Sequence, residues 1–218
     1  MACRTSTPPG EPPDGDRPHP HHAHTMQHRF EHADEWVARF DDPDRDAWQK
    51  PDAVIATLGL RPDDVVADVG AGTGYFTVRL ARAVPDGKVY ASDVEPDMVR
   101  HIGERAQGEG LANVTAVLGG ADDPSLPEPV DVVLMVDVLH HVDERPAFFR
   151  TLAAALDEGG RVVVVDFKPD APEDGPGPPR QHRLAIAEIE RDAASAGLRA
   201  SVRDVDTLQF QYVLQLTR

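Results

Sequence analysis

The residues best suited to chemistry begin with a glycine loop. It reads DVGAGTGY, from Asp68 through Gly70, Ala71, Gly72 and Gly74 to Tyr75. Glycines let a backbone reach positive φ and approach a ligand closely. The loop follows a short apolar run and opens a helical pattern, the context in which such a loop holds a ligand. A second acid, Asp93, ends the next apolar run, nineteen residues after the last glycine. That position suits a carboxylate accepting both hydroxyls of a ribose. Two ligand classes compete. A dinucleotide loop reads G-x-G-x-x-G and puts a pyrophosphate on the helix N-terminus. Here the third glycine comes one residue early, and Asp68 is a poor neighbour for a pyrophosphate. A carboxylate at that place suits an ammonium group, so the better match is a nucleoside that carries an amino acid. Downstream, Asp137 closes another apolar run, and the pair His140-His141 follows it. Histidine titrates near neutrality and can take a proton from a hydroxyl, amine or thiol.

The elements that must position these residues alternate. DVVADVG (64–70), KVYASDV (88–94), NVTAVLG (113–119), VDVVLMVDVL (130–139) and RVVVVDF (161–167) read as strands. Helices are expected over 51–58, 74–83, 95–110, 144–157 and 183–197, with Gly159-Gly160 as a turn before the fifth strand. Repeated βα units with continuous apolar strands predict a Rossmann-like, doubly wound α/β fold, its sheet mostly parallel and covered on both faces. Two alternating strands near 200–206 and 209–217 are too close in sequence for a parallel crossover. They predict a C-terminal antiparallel hairpin and seven strands in all. Residues 27–218 are read as one domain, with 27–60 a helical cap. Spacing of Phe30, Ala33, Val37 and Phe40 suggests a helix that Asp42-Pro43 interrupts.

Residues 1–26 hold six prolines and almost no large apolar side chains, so disorder is expected there. The tail carries His19, His21, His22 and His24, a tract able to gather a metal ion but equally read as a solvated linker. No metal site is assigned. The single cysteine, Cys3, excludes an intrachain disulfide and a multi-cysteine zinc site. The 22 basic and 38 acidic side chains give a formal charge of −16, which argues against nucleic-acid and membrane-surface partners. No apolar secretory segment precedes the tail, so a cytoplasmic location is expected. The Met1-Ala2-Cys3 start leaves a lipid-anchored or periplasmic alternative if translation begins upstream. Oligomeric state is not legible.

VADVGAGTGYF (66–76), YASDVEPDM (90–98), VDVVLMVDVLHHV (130–142) and LDEGGRVVVVDF (156–167) together resemble the class I S-adenosylmethionine-dependent methyltransferases, in particular the type 11 branch. The resemblance implies S-adenosyl-L-methionine as cofactor and methyl transfer to a small-molecule acceptor by in-line displacement. It implies that Asp68 and the Gly70–Gly74 backbone hold the methionine part, that Asp93 and Val94 meet the ribose and its surroundings, and that Asp137 lies near the reaction centre. Tyr75 would flank the sulfonium. The family often shows glycine-aspartate-alanine after the third strand; here the order is Gly119-Gly120-Ala121-Asp122-Asp123, and the adenine contact is assigned to Asp122. His140 or His141 would act as base. Trp36, Trp48 and Gln49 would line an acceptor pocket or pack in the core. The alternatives are a cofactor-binding or metal-handling protein without turnover and, further off, an NAD-dependent oxidoreductase.

Overall fold

The computed structural model describes Trp36, Val37 and residues 40–218. The expected tail, its histidine tract and most of the 30–40 helix lie outside the described residues, although Trp36, Val37 and Phe40 are helical. Two short helices come first, α1 (Arg45–Gln49) and α2 (Pro51–Leu58). Lys50, at φ 46°, ends one and begins the other, and Pro51 starts α2 where its missing N–H costs nothing.

Seven strands form one sheet: β1 (Val65–Val69), β2 (Lys88–Asp93), β3 (Val114–Leu118), β4 (Val130–Val136), β5 (Leu156–Phe167), β6 (Arg199–Asp204) and β7 (Gln211–Thr217). Their order is β3-β2-β1-β4-β5-β7-β6. The first five strands are parallel, and β7 joins antiparallel to both β5 and β6. The fold is therefore the expected mixed, Rossmann-like sheet. The hairpin is not simply appended: β7 takes the place beside β5 and leaves β6 at the edge.

The helices between strands are α3 (Thr77–Ala83), α4 (Pro96–Gly108), α5 (Arg145–Ala155) and α6 (Ile186–Ala194). Alternate residues of the central strands feed two separate cores, as a pleat of period two requires. On one face Val133, Met135, Val162 and Val164 pack with Phe148, Phe149 and Leu152 of α5. On the other, Val132, Leu134, Val163 and Val165 pack with Val54 and Leu58 of α2 and Leu80 of α3. That double burial explains why β4 is apolar throughout.

Strand β4 stops at Val136, short of the expected 139, and α6 spans Ile186–Ala194 within the expected 183–197; two further boundaries differ for a local reason. Helix α3 starts at Thr77 because residues 72–76 remain in turns around the glycines. The Gly159-Gly160 turn lies inside β5 as a bulge: Val130 pairs with Leu156 and Val132 with Arg161, so β5 contributes the extra residues. Gly159 at φ 77° makes the excursion, and a Cβ on Gly160 would sit 3.0 Å from the Val130 carbonyl oxygen.

The strand order reverses direction between β1 and β4, and ligands of open α/β sheets bind at such a point, beyond the carboxyl ends. The dense layer under that edge makes it rigid. Phe149→Ala, which empties a fully buried ring site, should cost about 3–5 kcal/mol, read as a lower urea midpoint with little change in slope.

Candidate active site

The glycine loop leaves β1 in a turn that only glycine fits well. Gly70 has φ 72°, and a Cβ there would meet Val138 Cγ2 at 2.5 Å. The Gly70 and Ala71 N–H groups both donate to the Ser92 carbonyl, at 2.8 and 3.1 Å, which ties the loop to the end of β2. Gly72 and Gly74 also lie at positive φ. The Gly72 N–H donates to Asp93 Oδ2 at 2.8 Å, and the Glu95 N–H donates to Oδ1 at 3.0 Å. Asp93 is only 9% exposed, and burial pushes its carboxyl above the usual range against those two bonds. A carboxylate offers about four acceptor positions, more than these bonds fill. Beside it Val94 is 51% exposed, an apolar side chain just past the tip of β2.

Asp68 sits one strand away. Its Oδ2 accepts the Thr77 hydroxyl at 2.6 Å. Burial pushes its pKa to about 6, opposed by the Thr77 bond, while the charge of Asp93 adds to the rise. The two acids at the tips of β1 and β2 thus share one desolvated edge.

A second group lies past β4 and β5. Asp137 holds φ 60°, and its N–H donates to the Val165 carbonyl at 2.9 Å. Gln211 Nε2 donates to Asp137 Oδ1 at 2.7 Å, and Gln49 Nε2 reaches Oδ2 at 3.4 Å and Gln211 Oε1 at 3.1 Å. Burial, then the charge of Asp166, pushes the Asp137 pKa to about 7; Arg45, His140 and the Gln211 bond oppose the rise. Asp166 is fully buried, and its Oδ1 accepts the Phe167 N–H at 2.8 Å. His140 Nδ1 lies 3.4 Å from the same oxygen. Neither His140 Nδ1 nor Asp166 Oδ2 completes a hydrogen bond, and both atoms are buried. Burial lowers the His140 pKa, but the Asp166 and Asp137 carboxylates outweigh it and the net shift is upward. The His141 side chain is exposed, with its ring centroid 4.1 Å from that of His140.

Helix α1 and the residues before it lie across the glycine loop. Phe40 comes within 3.6 Å of where a Gly72 Cβ would stand. Asp41 accepts the Thr73 hydroxyl at 2.9 Å and pairs with Arg105 at 2.8 Å. The Tyr75 hydroxyl donates to Asp46, and the guanidinium carbons of Arg45 and Arg79 lie 4.0 and 4.1 Å from its ring centroid. Two protein cations therefore occupy the surroundings of the ring that was expected to flank a sulfonium. Tyr75 instead fastens α1 to the loop. Gln49 is fully buried in the site, whereas Trp48 packs near Phe167 and Phe210. Asp122 is exposed in the loop after β3, within the turn that the Gly120 and Asp123 backbones close.

The structure thus brings Asp68, Gly70, Ala71, Gly72, Gly74, Asp93 and Val94 together at the carboxyl ends of β1 and β2, with Asp137 and His140 beyond the end of β4. Sequence reasoning missed Asp166, Gln211, Thr77 and Arg45. The signal for Asp166 was available, since it ends its apolar strand as Asp68, Asp93 and Asp137 end or follow theirs. The cradle fits an adenosyl amino acid. Its glycines hold the left-handed backbone that turns loop N–H groups toward Ser92 and Asp93, and its two carboxylates stand at neighbouring strand tips.

The fold is the class I S-adenosylmethionine-dependent methyltransferase architecture. Residues 66–160 match the family model described as "Methyltransferase domain", and S-adenosyl-L-methionine is the cofactor of that domain. The chain is 33% identical over 122 residues to the ubiquinone/menaquinone biosynthesis C-methyltransferase UbiE of Ectopseudomonas mendocina, covering 54% of this chain and 48% of that protein. It is 33% identical over 120 residues to the demethylmenaquinone methyltransferase of Tropheryma whipplei, covering 55% and 48%. The chain spans about half the length of these curated relatives. A crystal structure of a SAM-dependent methyltransferase from Aquifex aeolicus superposes with TM-score 0.76 at 26% identity, covering 84% of this chain and 96% of that one. No helix among the described residues is long and apolar enough to cross a membrane.

The raised Asp137 carboxyl has a thermodynamic consequence. Between the ordinary aspartate value of 3.8 and about 7, the folded state binds a proton that the unfolded state has released. Stability from this group is therefore present at low pH and is lost as pH rises through 7. Asp137→Asn removes that loss. Its melting temperature relative to the unsubstituted protein should rise between pH 5 and pH 8, measured by paired thermal scans.

Proposed function

We propose that the protein transfers the methyl group of S-adenosylmethionine to a small-molecule acceptor bound beyond the ends of β4 and β5. The observation that carries this reading is the glycine loop joined to Asp93 through the Gly72 N–H, with Asp68 on the adjoining strand. Asp93 would take the ribose hydroxyls, Val94 the adenine side, and Asp68 and the loop backbone the amino-acid part. Asp122 would meet the base only after its loop folds inward. When bound, the cofactor supplies a methyl group already activated on a sulfonium.

The chain's own task is then alignment and exclusion of water, which together supply roughly 7–11 kcal/mol in well-oriented reactions. Gln49 and Gln211 fix Asp137 at the cleft, and burial keeps that carboxyl partly protonated near neutrality. His140 presents Nδ1 to Asp166, which leaves its other nitrogen to accept a proton from the acceptor. That arrangement suits a nucleophile that arrives protonated, and it favours His140 over the exposed His141 as base. The relatives' names speak of carbon methylation in quinone biosynthesis, so a ring carbon bearing a neighbouring hydroxyl satisfies both lines of support.

Calorimetry with S-adenosylhomocysteine and NAD tests the cofactor. Binding of the first and not the second is expected, and the reverse overturns the reading. Asp93→Ala should weaken S-adenosylhomocysteine binding by about 1.5–3 kcal/mol. Incubation of the protein and labelled cofactor with a matched cell extract tests turnover. A labelled small molecule is expected; label left entirely on the cofactor would favour a binding protein without turnover. With the acceptor so found, His140→Gln should lower kcat about 100-fold or more while leaving cofactor affinity unchanged.

A further inference from the structure

Between β5 and α6 the chain leaves the carboxyl edge of the sheet as a strap, residues 168–182, with five prolines and two glycines. Proline has no N–H, so the carbonyls of such a strap need donors from outside it. One residue supplies several. Arg183 is only 6% exposed, and its guanidinium gathers three strap carbonyls. Nε donates to Pro178 at 2.8 Å, Nη1 donates to Ala171, and Nη2 reaches Pro172 at 3.4 Å. The planar fork thus ties both ends of the strap to the residue that leads into α6. Tyr212 fixes the next residue, its hydroxyl donating to the Leu184 carbonyl at 3.0 Å. Between those ends the strap lies directly on two rings. A Cβ on Gly177, at φ 107°, would stand 2.5 Å from Phe167, and one on Gly175 would stand 2.8 Å from Phe210. The same rings meet Trp48 of α1, at centroid distances of 5.9 and 6.4 Å. Each of the three aromatics adjoins in sequence a polar residue of the site: Phe167 follows Asp166, Phe210 precedes Gln211, and Trp48 precedes Gln49.

We infer that Arg183 is a positioning residue for the methyl acceptor: it clasps the 168–182 strap onto Phe167 and Phe210, and the clasped strap forms the outer wall of the acceptor site. This inference rests on the proposed reading that the acceptor binds beyond the ends of β4 and β5. Within the strap only Ala171 is buried. A segment with so little apolar burial opens at low cost relative to the sheet beneath it. The seat is close, since the two glycines leave no room for a side chain between strap and rings. An acceptor reaching the aromatic cluster must therefore lift the strap to enter, and the Arg183 fork draws it back afterwards. Cofactor binding at the tips of β1 and β2 does not need this motion.

Trypsin reads the strap in the full chain. The bond after Arg180 lies inside it, and Lys168 is followed by a proline, which trypsin passes over. Cleavage of an opened segment tracks the population of the open form. In Arg183→Met the cut after Arg180, followed by mass spectrometry of the native protein, should run about 10- to 100-fold faster, the range for losing hydrogen bonds to a charged group. Cuts elsewhere should keep their rates. Arg183→Lys, which keeps the charge without the planar fork, should fall between and carries the test if the methionine variant does not fold. Gly177→Ala, which keeps the fork but unseats the strap from Phe167, should speed the same cut. An unchanged rate after Arg180, or an equal rise at every tryptic site, overturns the clasp. With the acceptor found by labelling, Arg183→Met should raise its KM about 10-fold or more, with kcat within about threefold and S-adenosylhomocysteine affinity within about twofold. A fall in kcat with KM unchanged would mark a residue that only stabilises the fold, and it overturns the role in acceptor binding. If no small molecule is labelled, the acceptor reading fails and the wall with it, while the trypsin rates still decide the clasp.

Discussion

Four aspartates at the carboxyl ends of four adjacent strands set the terms for this structure. Asp68, Asp93, Asp137 and Asp166 stand at or just past the tips of β1, β2, β4 and β5. Like charges brought together in low dielectric repel, and each loses hydration on burial. The neighbourhood answers with a different device for each. Thr77 serves Asp68, two backbone N–H groups serve Asp93, two glutamine amides serve Asp137, and a backbone N–H with a histidine serves Asp166. The compensation is partial, which is why burial leads the causes that raise Asp68, Asp93 and Asp137. An edge built this way favours ligands that bring positive charge and hydrogen-bond donors.

Much of this was legible in the chain because a parallel sheet constrains both of its requirements in the same few residues. A strand covered on two faces must be apolar throughout, and a ligand-binding edge must turn polar at its tip. VVADVG, VYASDV and VLMVDVL each carry that switch in consecutive letters. RVVVVDF carries it too, yet Asp166 escaped notice because no glycine loop or histidine pair follows it in sequence. Its partner His140 comes from another strand's end, and only the sheet order brings them together. Gln211 and Gln49 were hidden for the same reason, their contact spanning 162 residues. The hairpin could be read from its short connection, but not the insertion of β7 beside β5. That choice depends on the buried residues Tyr212 to Leu214 preferring the central sheet to its rim.

Tyr75 shows where local reasoning about an aromatic residue fails. An aromatic face attracts any cation, and the sequence around the loop suggests only the ligand's. The fold delivers two arginines to the same ring, one from α1 and one from α3. Their presence converts a supposed ligand contact into a fastening between the helical cap and the glycine loop. What the cap contributes is thus written in residues far from the loop in sequence.

The cap's fastening is of a particular kind. A helix of five residues is far below the length at which helices persist unaided, so α1 owes its shape to what it touches. Some of those contacts are partly solvated ion pairs, such as Arg79 with Asp46, and pairs of that sort contribute little each. The firmer holds are Gln49, fully buried against Gln211, Trp48 against Phe167 and Phe210, and Arg45 against Tyr75. Gln49 also reaches Asp137, so the element over the glycine loop is held in part by polar groups of the site itself. Anything that completes those groups strengthens the cover, and anything that empties them loosens it.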